Sequence, residues 1–285
     1  MLIRSARVVD REELQELWGL VFDEEPGFLD MFFSLRFDPS HVFLIEEDGR
    51  IVSALHALPS RFLRADGDTS DATNIVGAAT LAQYRRRGYM EALLKHVRKS
   101  GTTPVLLYPA VRAYYEKNGF CSCSVSTLYD LERSGGIQED RCRPDETHSQ
   151  PDEIFSNALL DRFDAAYVAS ITPKGGLLRD RDGWKLLLQG YAPSIVTEDG
   201  RRYGSAGFAY AFVVGDTAVE TAAQDGPSAQ ALIDALTDRG VAKVRAMEAS
   251  PVDTFLSASA LPRSTMQEGM TFPALPGNPF IGEQY

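Results

Sequence analysis

The stretch Asn74-Ile75-Val76-Gly77-Ala78-Ala79-Thr80, followed by Tyr84-Arg85-Arg86-Arg87-Gly88-Tyr89-Met90 and then Glu91-Ala92-Leu93-Leu94-Lys95-His96-Val97, decides the fold. Its first part reads as a buried strand. Its last part reads as an amphipathic helix with Leu93, Leu94 and Val97 on one face. The bend between them carries three consecutive arginines and a glycine in a chain that is otherwise acidic. A helix N-terminus presents unpaired backbone N–H groups and the positive end of its dipole. Gly88 lets the main chain pass close to an anion with no Cβ in the way, and guanidinium groups match phosphate geometry. The bend therefore points to a phosphate-bearing ligand, against the plainer reading of a solvated basic turn.

Outward from this unit the elements alternate. Residues 2–9 read as a short strand, and Asp10 with Glu13 reads as a capping box opening a helix striped by Leu14, Leu17, Trp18 and Val21. A second helix carries Phe28, Met31, Phe32 and Leu35. A hairpin follows, His41–Ile45 to Ile51–Leu55, turned by Asp48-Gly49 as a tight turn with two positive φ angles demands. After the arginine bend and its helix come a strand at Pro104–Tyr108, a short helix from Val111 to Asn118 ended by Gly119, and a strand over 121–131.

Residues 133–150 are poor in apolar groups and read as a linker. The second half then repeats the order: helices over 152–168 and 180–190, a hairpin around Glu198-Asp199-Gly200-Arg201, a strand (218–223), a loop, a helix (228–239) and a strand (241–247). Glu47-Asp48-Gly49-Arg50 stands at the corresponding place in the first half. The matching order indicates a duplication: an α/β chain with mixed sheets and two units, 1–132 and 151–285.

Composition narrows the function. Twenty-nine basic against forty acidic residues give a net charge of −11, which disfavours a nucleic-acid partner and tilts toward cationic molecules. No apolar run reaches the roughly 20 residues of a membrane helix, and residues 1–7 lack a signal-peptide core. No membrane association and a cytoplasmic location are the expectation. Three cysteines, Cys121, Cys123 and Cys142, form no disulfide framework. With His148 they could make a metal set, but the spacing lacks the usual Cys-x2-Cys knuckle. The expectation is no metal, with Cys121 and Cys123 on the same side of a strand.

Arg85-x-x-Gly88-x-Met90 ahead of a helix resembles the acetyl-CoA motif of the GNAT superfamily of N-acetyltransferases. Tyr114-Tyr115-Glu116-Lys117-Asn118-Gly119-Phe120 resembles the later element of that family. The likeness spans roughly residues 1–131. Met90, where many members carry Gly or Ala, is similar to the subgroup of Eis-type acetyltransferases. Leu177-Leu178-Arg179-Asp180-x-x-Gly183-Trp184 resembles the start of the second, tandem domain of that subgroup. The chain falls short of a sterol-carrier-like third domain, which leaves a C-terminal carboxylate, or Tyr285, only a remote candidate for a base.

The resemblance implies tandem GNAT-like units: an N-terminal copy that binds acetyl-CoA as co-substrate and a degenerate C-terminal copy. The strands at 74–80 and 104–108 would splay to admit the pantetheine arm near Ala78, Ala79 and Thr80. Amides of 86–90 would hold the diphosphate, with Arg85, Arg86, Arg87, Gly88, Tyr89 and Met90 as the binding set. Tyr115 would be the general acid at the leaving thiolate, with a packed core tyrosine as the plainer reading. The oxyanion would meet amides of the 74–80 strand. Asp23, Glu24, Glu25, His41, Glu46 and His56 are candidate bases by position, and none is singled out over a water chain.

The implied reaction is acetyl transfer to a primary amine of a small cationic molecule or a peptide. Alternatives are another acyl-CoA, or an acetyl-CoA-binding regulatory module without turnover. Self-association is common among tandem members, so a homo-oligomer stays open. In the second half, Gln224-Asp225-Gly226-Pro227 replaces the arginine bend. Asp225 repels phosphate and Pro227 lacks a donor. This copy is expected to leave coenzyme A unbound and either to wall the acceptor pocket or to serve as a structural partner only.

Overall fold

The computed structural model describes residues 2–100, 103–131, 156–259, 261–273, 275 and 280–281. The expected linker, Cys142, His148 and Tyr285 lie outside the described residues. The first half contributes strands β1 (Ile3–Ser5), β2 (Val42–Glu47), β3 (Arg50–Leu63), β4 (Thr69–Thr80), β5 (Val105–Leu107), β6 (Cys121–Ser122) and β7 (Val125–Asp130). Its helices are α1 (Arg11–Phe22), α2 (Pro26–Arg36), α3 (Tyr89–Ser100) and α4 (Arg112–Lys117). Asp48 (φ 52°) and Gly49 (φ 75°) make the β2–β3 turn with two left-handed residues, as their identities require. Leu14, Leu17 and Trp18 of α1 pack with Leu29, Phe32 and Phe33 of α2 on one face of the sheet. Leu93, Leu94 and Val97 of α3 cover the other, against Ile45, Val52, Leu55 and Ile75.

The second half contributes α5 (Asn157–Ile171), β8 (Gly176–Leu178), α6 (Arg181–Tyr191), β9 (Ile195–Asp199), β10 (Phe208–Val214), β11 (Thr217–Ala223), α7 (Gly226–Asp238), β12 (Lys243–Met247), α8 (Pro251–Ser257), β13 (Arg263–Gln267) and β14 (Met270–Phe272). Two mixed sheets result, in the orders β1-β2-β3-β4-β5-β14-β6 and β13-β7-β12-β11-β10-β9, with β8 also pairing with β3.

These orders reveal an exchange. β14, from the end of the chain, lies between β5 and β6 of the first sheet, while β7, from the first half, lies between β12 and β13 of the second. The units expected from sequence are therefore interlocked, each completing the other's sheet. The crossing is tied by the main chain: the Glu268 N–H donates to the Ser124 carbonyl (2.8 Å) and the Cys123 N–H to the Gly269 carbonyl (3.0 Å). Ser124 adopts a left-handed φ of 63° and breaks the strand expected over 121–131. That break also separates the two cysteines: Cys121 is exposed and Cys123 is buried, rather than both facing one way.

Two further expectations give way to competing contacts. Asp10 does not cap α1 through its side chain. Its carboxylate instead accepts from the Arg4 guanidinium (2.6 and 3.2 Å) and from the N–H and side chain of Arg7, while Glu13 accepts from the Ile51 N–H (2.6 Å). For Asp10 the charged guanidinium donors win over the α1 amides, and for Glu13 the Ile51 amide of β3 takes the place of the Asp10 amide. The Glu-Asp-Gly-Arg match also makes different turns in its two places. At residues 200–203 the chain forms a 3-10 turn, because Gly200 is pressed against Ser205 and the Pro227–Ser228 backbone.

Strand β4 carries one irregularity that matters below. Its pairing with β3 slips between Ala54 and His56, so that Gly77 and Ala78 together oppose Leu55. Gly77 is left-handed (φ 59°), and a Cβ there would lie 1.7 Å from Cζ2 of Trp18. The indole lies flat against the bulge, so this glycine is required by both conformation and space.

Two outcomes follow from these contacts. Gly77→Ala is expected to cost about 1–3 kcal/mol, read by denaturant unfolding, and a Trp18→Leu background should recover part of that loss by removing the clash. Asp10, held well below the usual carboxylate range by the Arg4 and Arg7 hydrogen bonds, contributes stability that is present above the unfolded aspartate pKa near 4. That contribution is lost as pH falls toward its depressed folded value. Asp10→Asn should therefore unfold more readily than wild type at pH 7, with the gap narrowing steadily below pH 4.

Candidate active site

The site begins where β4 loses a neighbour. β4 and β5 run parallel in register only at Thr73–Val105, Asn74–Leu106 and Ile75–Leu107. β5 ends there, and Pro109 supplies no N–H to continue a ladder. β4 runs on through Val76, Gly77, Ala78, Ala79 and Thr80 with, among the described residues, a strand only on its β3 side. The result is a wedge-shaped mouth whose one wall is an unpaired main-chain edge. Ala78, Ala79 and Thr80, the residues predicted to meet the pantetheine arm, all lie on this edge. Ser53 braces it by donating to the Ala79 carbonyl (3.1 Å) and sharing a hydrogen bond with the Thr80 hydroxyl (2.8 Å).

The arginine bend closes one end of the mouth. A 3-10 turn (Ala82–Tyr84) leads to Arg85, then to Arg86 (φ 64°) and Gly88 (φ 80°), both left-handed, before α3 begins. Among the described residues the amides of Arg86 to Met90 meet no acceptor; the first helical bond of the region is Ala92 N–H to the Gly88 carbonyl (3.0 Å). Nothing lies within 4 Å of where a Gly88 Cβ would sit. The three arginines are exposed but not equivalent. Arg85 donates to the Thr80 carbonyl (3.1 Å), linking bend to edge, and Arg87 pairs with Glu47 (3.4 Å) while lying over the Tyr84 ring. Among the described residues, Arg86 forms no hydrogen bond or ion pair. Tyr89 donates its hydroxyl to Glu47, so it braces the bend from behind, and Met90 is half-buried against the α3 cluster. Glu47 as a strut for both Arg87 and Tyr89 was not legible in the sequence.

Tyr115 projects from α4 into the same cluster. It is 9% exposed, with its ring edge-on to Tyr114 and Phe120. Among the described residues its hydroxyl has no hydrogen-bond partner, and it is not sealed from solvent. Burial, reinforced by Tyr114, pushes its pKa up to about 12, so the phenol stays protonated at neutral pH.

The candidate bases differ in their surroundings. Glu46 is taken by Arg4 (2.8 Å) and His41 lies beside Asp38 (3.4 Å). Asp23 and Glu25 are exposed, and Glu24 is half-buried, with its pKa raised by burial. His56 is fully buried in a cage of Trp18, Phe32 and Phe33, with neither ring nitrogen hydrogen-bonded. Burial alone lowers its pKa to about 3, so it remains neutral. A cleft of about 840 Å³ lies elsewhere, beside Ala57–Ser60 of β3, where β2 has ended and β8 has not begun.

The corresponding bend of the second half is filled from within. Asp225 caps α7, accepting from the Ser228 N–H (2.8 Å) and from the Ser205 hydroxyl, and the Ser228 hydroxyl returns a contact to Asp225. A carboxylate already stands where an anion would have to sit. The open end of β11 is closed as well: the Ala223 N–H donates to Ser170 Oγ (3.0 Å), and the Thr221 hydroxyl donates to the Arg245 carbonyl (2.7 Å).

Comparison with known proteins places this geometry. Residues 2–122 match the family model described as Acetyltransferase (GNAT) domain. No curated protein matches the chain in sequence. Among solved structures, a probable N-acyltransferase of Enterococcus faecalis is similar at TM-score 0.67 and 14% identity, over 95% of this chain and 71% of that one. A GCN5-related N-acetyltransferase from Kribbella flavida is similar at TM-score 0.63 and 16% identity, over 95% and 70%. Eis1 from Mycobacterium abscessus is similar at TM-score 0.62 and 14% identity, over 95% and 73%. At these identities the likeness is one of fold, and it extends across both sheets. Residues 2–122 thus match a GNAT acetyltransferase domain, and the chain as a whole has the fold of tandem GNAT-like proteins.

Proposed function

We propose that the chain transfers an acetyl group from acetyl-CoA to a primary amine of a small cationic molecule or a peptide. The observation that carries this reading is the pairing of an unpartnered β4 edge with a bend of free amides at Arg86–Met90. The two are joined by the Arg85 contact to Thr80. The residues fit the cofactor's two polar parts: the edge offers strand-like hydrogen bonds to the amides of a pantetheine arm, and the bend offers N–H groups and Arg86 to a diphosphate. Acetyl-CoA supplies the activated thioester.

The protein's contribution is placement and polarity. Amides of the bulge at Gly77–Ala78 are the donors for charge that develops on the thioester carbonyl oxygen. Trp18, pressed on Gly77, keeps that bulge in one conformation and excludes water from its far side. Tyr115 acts at the departing sulfur. A thiol pKa near 8.5 lies below a phenol at about 12, so hydrogen-bond donation is favoured over complete proton transfer. The amine, with a pKa near 10, must shed a proton before attack. Glu46 is engaged by Arg4 and His56 is caged among aromatic rings, so we assign this step to relay through water. The net charge of −11 favours a cationic acceptor by steering.

The second copy, with Asp225 in place of the arginines, serves the first rather than binding a second coenzyme A. A regulatory acetyl-CoA sensor is the reading that competes, along with transfer of a different acyl group. They separate by free-thiol release across acyl-CoAs and an amine panel.

Coenzyme A at 100 times its Kd should raise stability by about 2.7 kcal/mol, and replacing Arg85, Arg86 and Arg87 together with Ala should remove most of that gain. Of the single changes, Arg86→Ala should cost the most affinity, because the other two side chains are already engaged. Tyr115→Phe is expected to lower kcat by about 10²-fold while leaving the coenzyme A stabilisation intact. Full turnover in that variant would take Tyr115 out of the reaction, and binding without turnover in wild type would favour the sensor.

A further inference from the structure

Helix α4 is six residues long, and its N-cap, Val111, makes no side-chain cap. So short a helix holds its position through tertiary contacts rather than its own hydrogen bonds. The contacts at its entrance come from the second half. Arg112, the first residue of α4, donates from one nitrogen to the carbonyls of Gln267 (2.8 Å) and Glu268 (2.9 Å), and from the other to the Ser122 hydroxyl (2.8 Å). Gln267 ends β13 in the second sheet, and Met270 begins β14 in the first. Arg112 thus grips the chain at the point where it passes between sheets.

The side chain of Glu268 is engaged at the same place. It is 2% exposed and accepts from the Tyr108 hydroxyl (2.8 Å) and from the Ser126 hydroxyl, with Arg245 Nε at 3.6 Å. Tyr108 is the residue directly after β5, at the mouth of the wedge. Both ends of the connection from β5 to α4, Tyr108 and Arg112, are therefore moored to Gln267–Glu268. The two residues of that turn lie far along the chain from Tyr115, yet the exchanged strand brings them against its helix.

We propose that the Gln267–Glu268 turn of the second half is a positioning element of the acyl-transfer site: through Arg112 and Tyr108 it fixes α4, and so sets where the Tyr115 hydroxyl meets the leaving sulfur. The inference rests on the assignment of Tyr115 made above. It gives the second copy, whose own bend is closed by Asp225, a definite part in the chemistry. Arg112, Tyr108 and Glu268 act through Tyr115 and through the mouth it faces, not on the substrate.

The test uses the full chain with Arg112→Ala, Arg112→Lys and Glu268→Gln, following kcat, KM for acetyl-CoA, stabilisation by coenzyme A, and hydrogen exchange over residues 112–119. Arg112→Ala is expected to lower kcat by about 10²-fold, the scale of a misplaced group. Exchange over 112–119 should accelerate, while KM for acetyl-CoA and the coenzyme A stabilisation stay near wild type, because the arginine bend belongs to a different element. Arg112→Lys should recover only part, since an ammonium cannot reproduce the guanidinium fork. Glu268→Gln should give a smaller loss in kcat alone. Should Arg112→Ala fail to fold, the other two variants carry the same readouts.

Unchanged kcat and unchanged exchange in the Arg112 variants would overturn the proposal, and would do so even if Tyr115→Phe were inactive. Accelerated exchange in a protein whose wild type turns over no amine would uphold the mooring and count against the transferase reading instead.

Discussion

A strand that outruns its neighbour organises this molecule. β4 keeps parallel company with β5 for three residue pairs and then continues alone to Thr80. Buried main-chain N–H and C=O groups without partners are costly, so an edge left open inside a fold asks for an occupant. The chain meets that demand differently in its two halves. In the first, the edge ends at a bend whose amides, like Arg86, meet no partner among the described residues, which is the opening the proposed cofactor would fill. In the second, Ser170, Thr221 and Asp225 close the equivalent features from inside. The same place in the two halves is thus open in one and closed by side chains in the other.

The exchange of β7 and β14 explains why a sealed copy is retained. A short strand such as β14 gains little from its own hydrogen bonds, but placed between β5 and β6 it keeps β5 in register with Met270, Thr271 and Phe272. β5 then stops at a defined point and turns away at Tyr108-Pro109. The wedge therefore depends on residues from the end of the chain as much as on β4 itself. Cys123–Ser124 and Glu268–Gly269 pass each other at the crossing with mutual main-chain bonds, which makes the two halves one cooperative structure rather than beads on a string.

Sequence reasoning reached those features whose cause is local. Asp48-Gly49 had to be a tight turn because both residues tolerate positive φ. The Arg85–Gly88 bend stood out because strand, glycine, charge and helix start are contiguous. Asp225 and Pro227 marked the second bend as chemically different, and Asp225 caps α7 there. What escaped were contacts set by distant partners. The alternation of 125–130 suits either sheet equally, so nothing in Val125–Asp130 signals that it crosses. Nothing next to Gly77 in the sequence signals that Trp18, far earlier in the chain, lies against it. Asp10 and Glu13 matched a capping box in spacing, yet Arg4, Arg7 and the Ile51 amide took their carboxylates. Cys121 and Cys123 would share a face only in an unbroken strand, and Ser124 breaks it.

The central claim is that the main chain from Gly77 to Met90 is built to hold a thioester cofactor along an unpaired strand edge. A crystal structure of the full chain with coenzyme A tests it most directly. The account predicts the pantetheine amides paired with the backbone of Ala78–Thr80 and the diphosphate on the N–H groups of Arg86–Met90, with the thiol end directed at the Tyr115 hydroxyl. A cofactor bound at the cleft beside Ala57–Ser60, or a wedge left vacant at saturating coenzyme A, would contradict it.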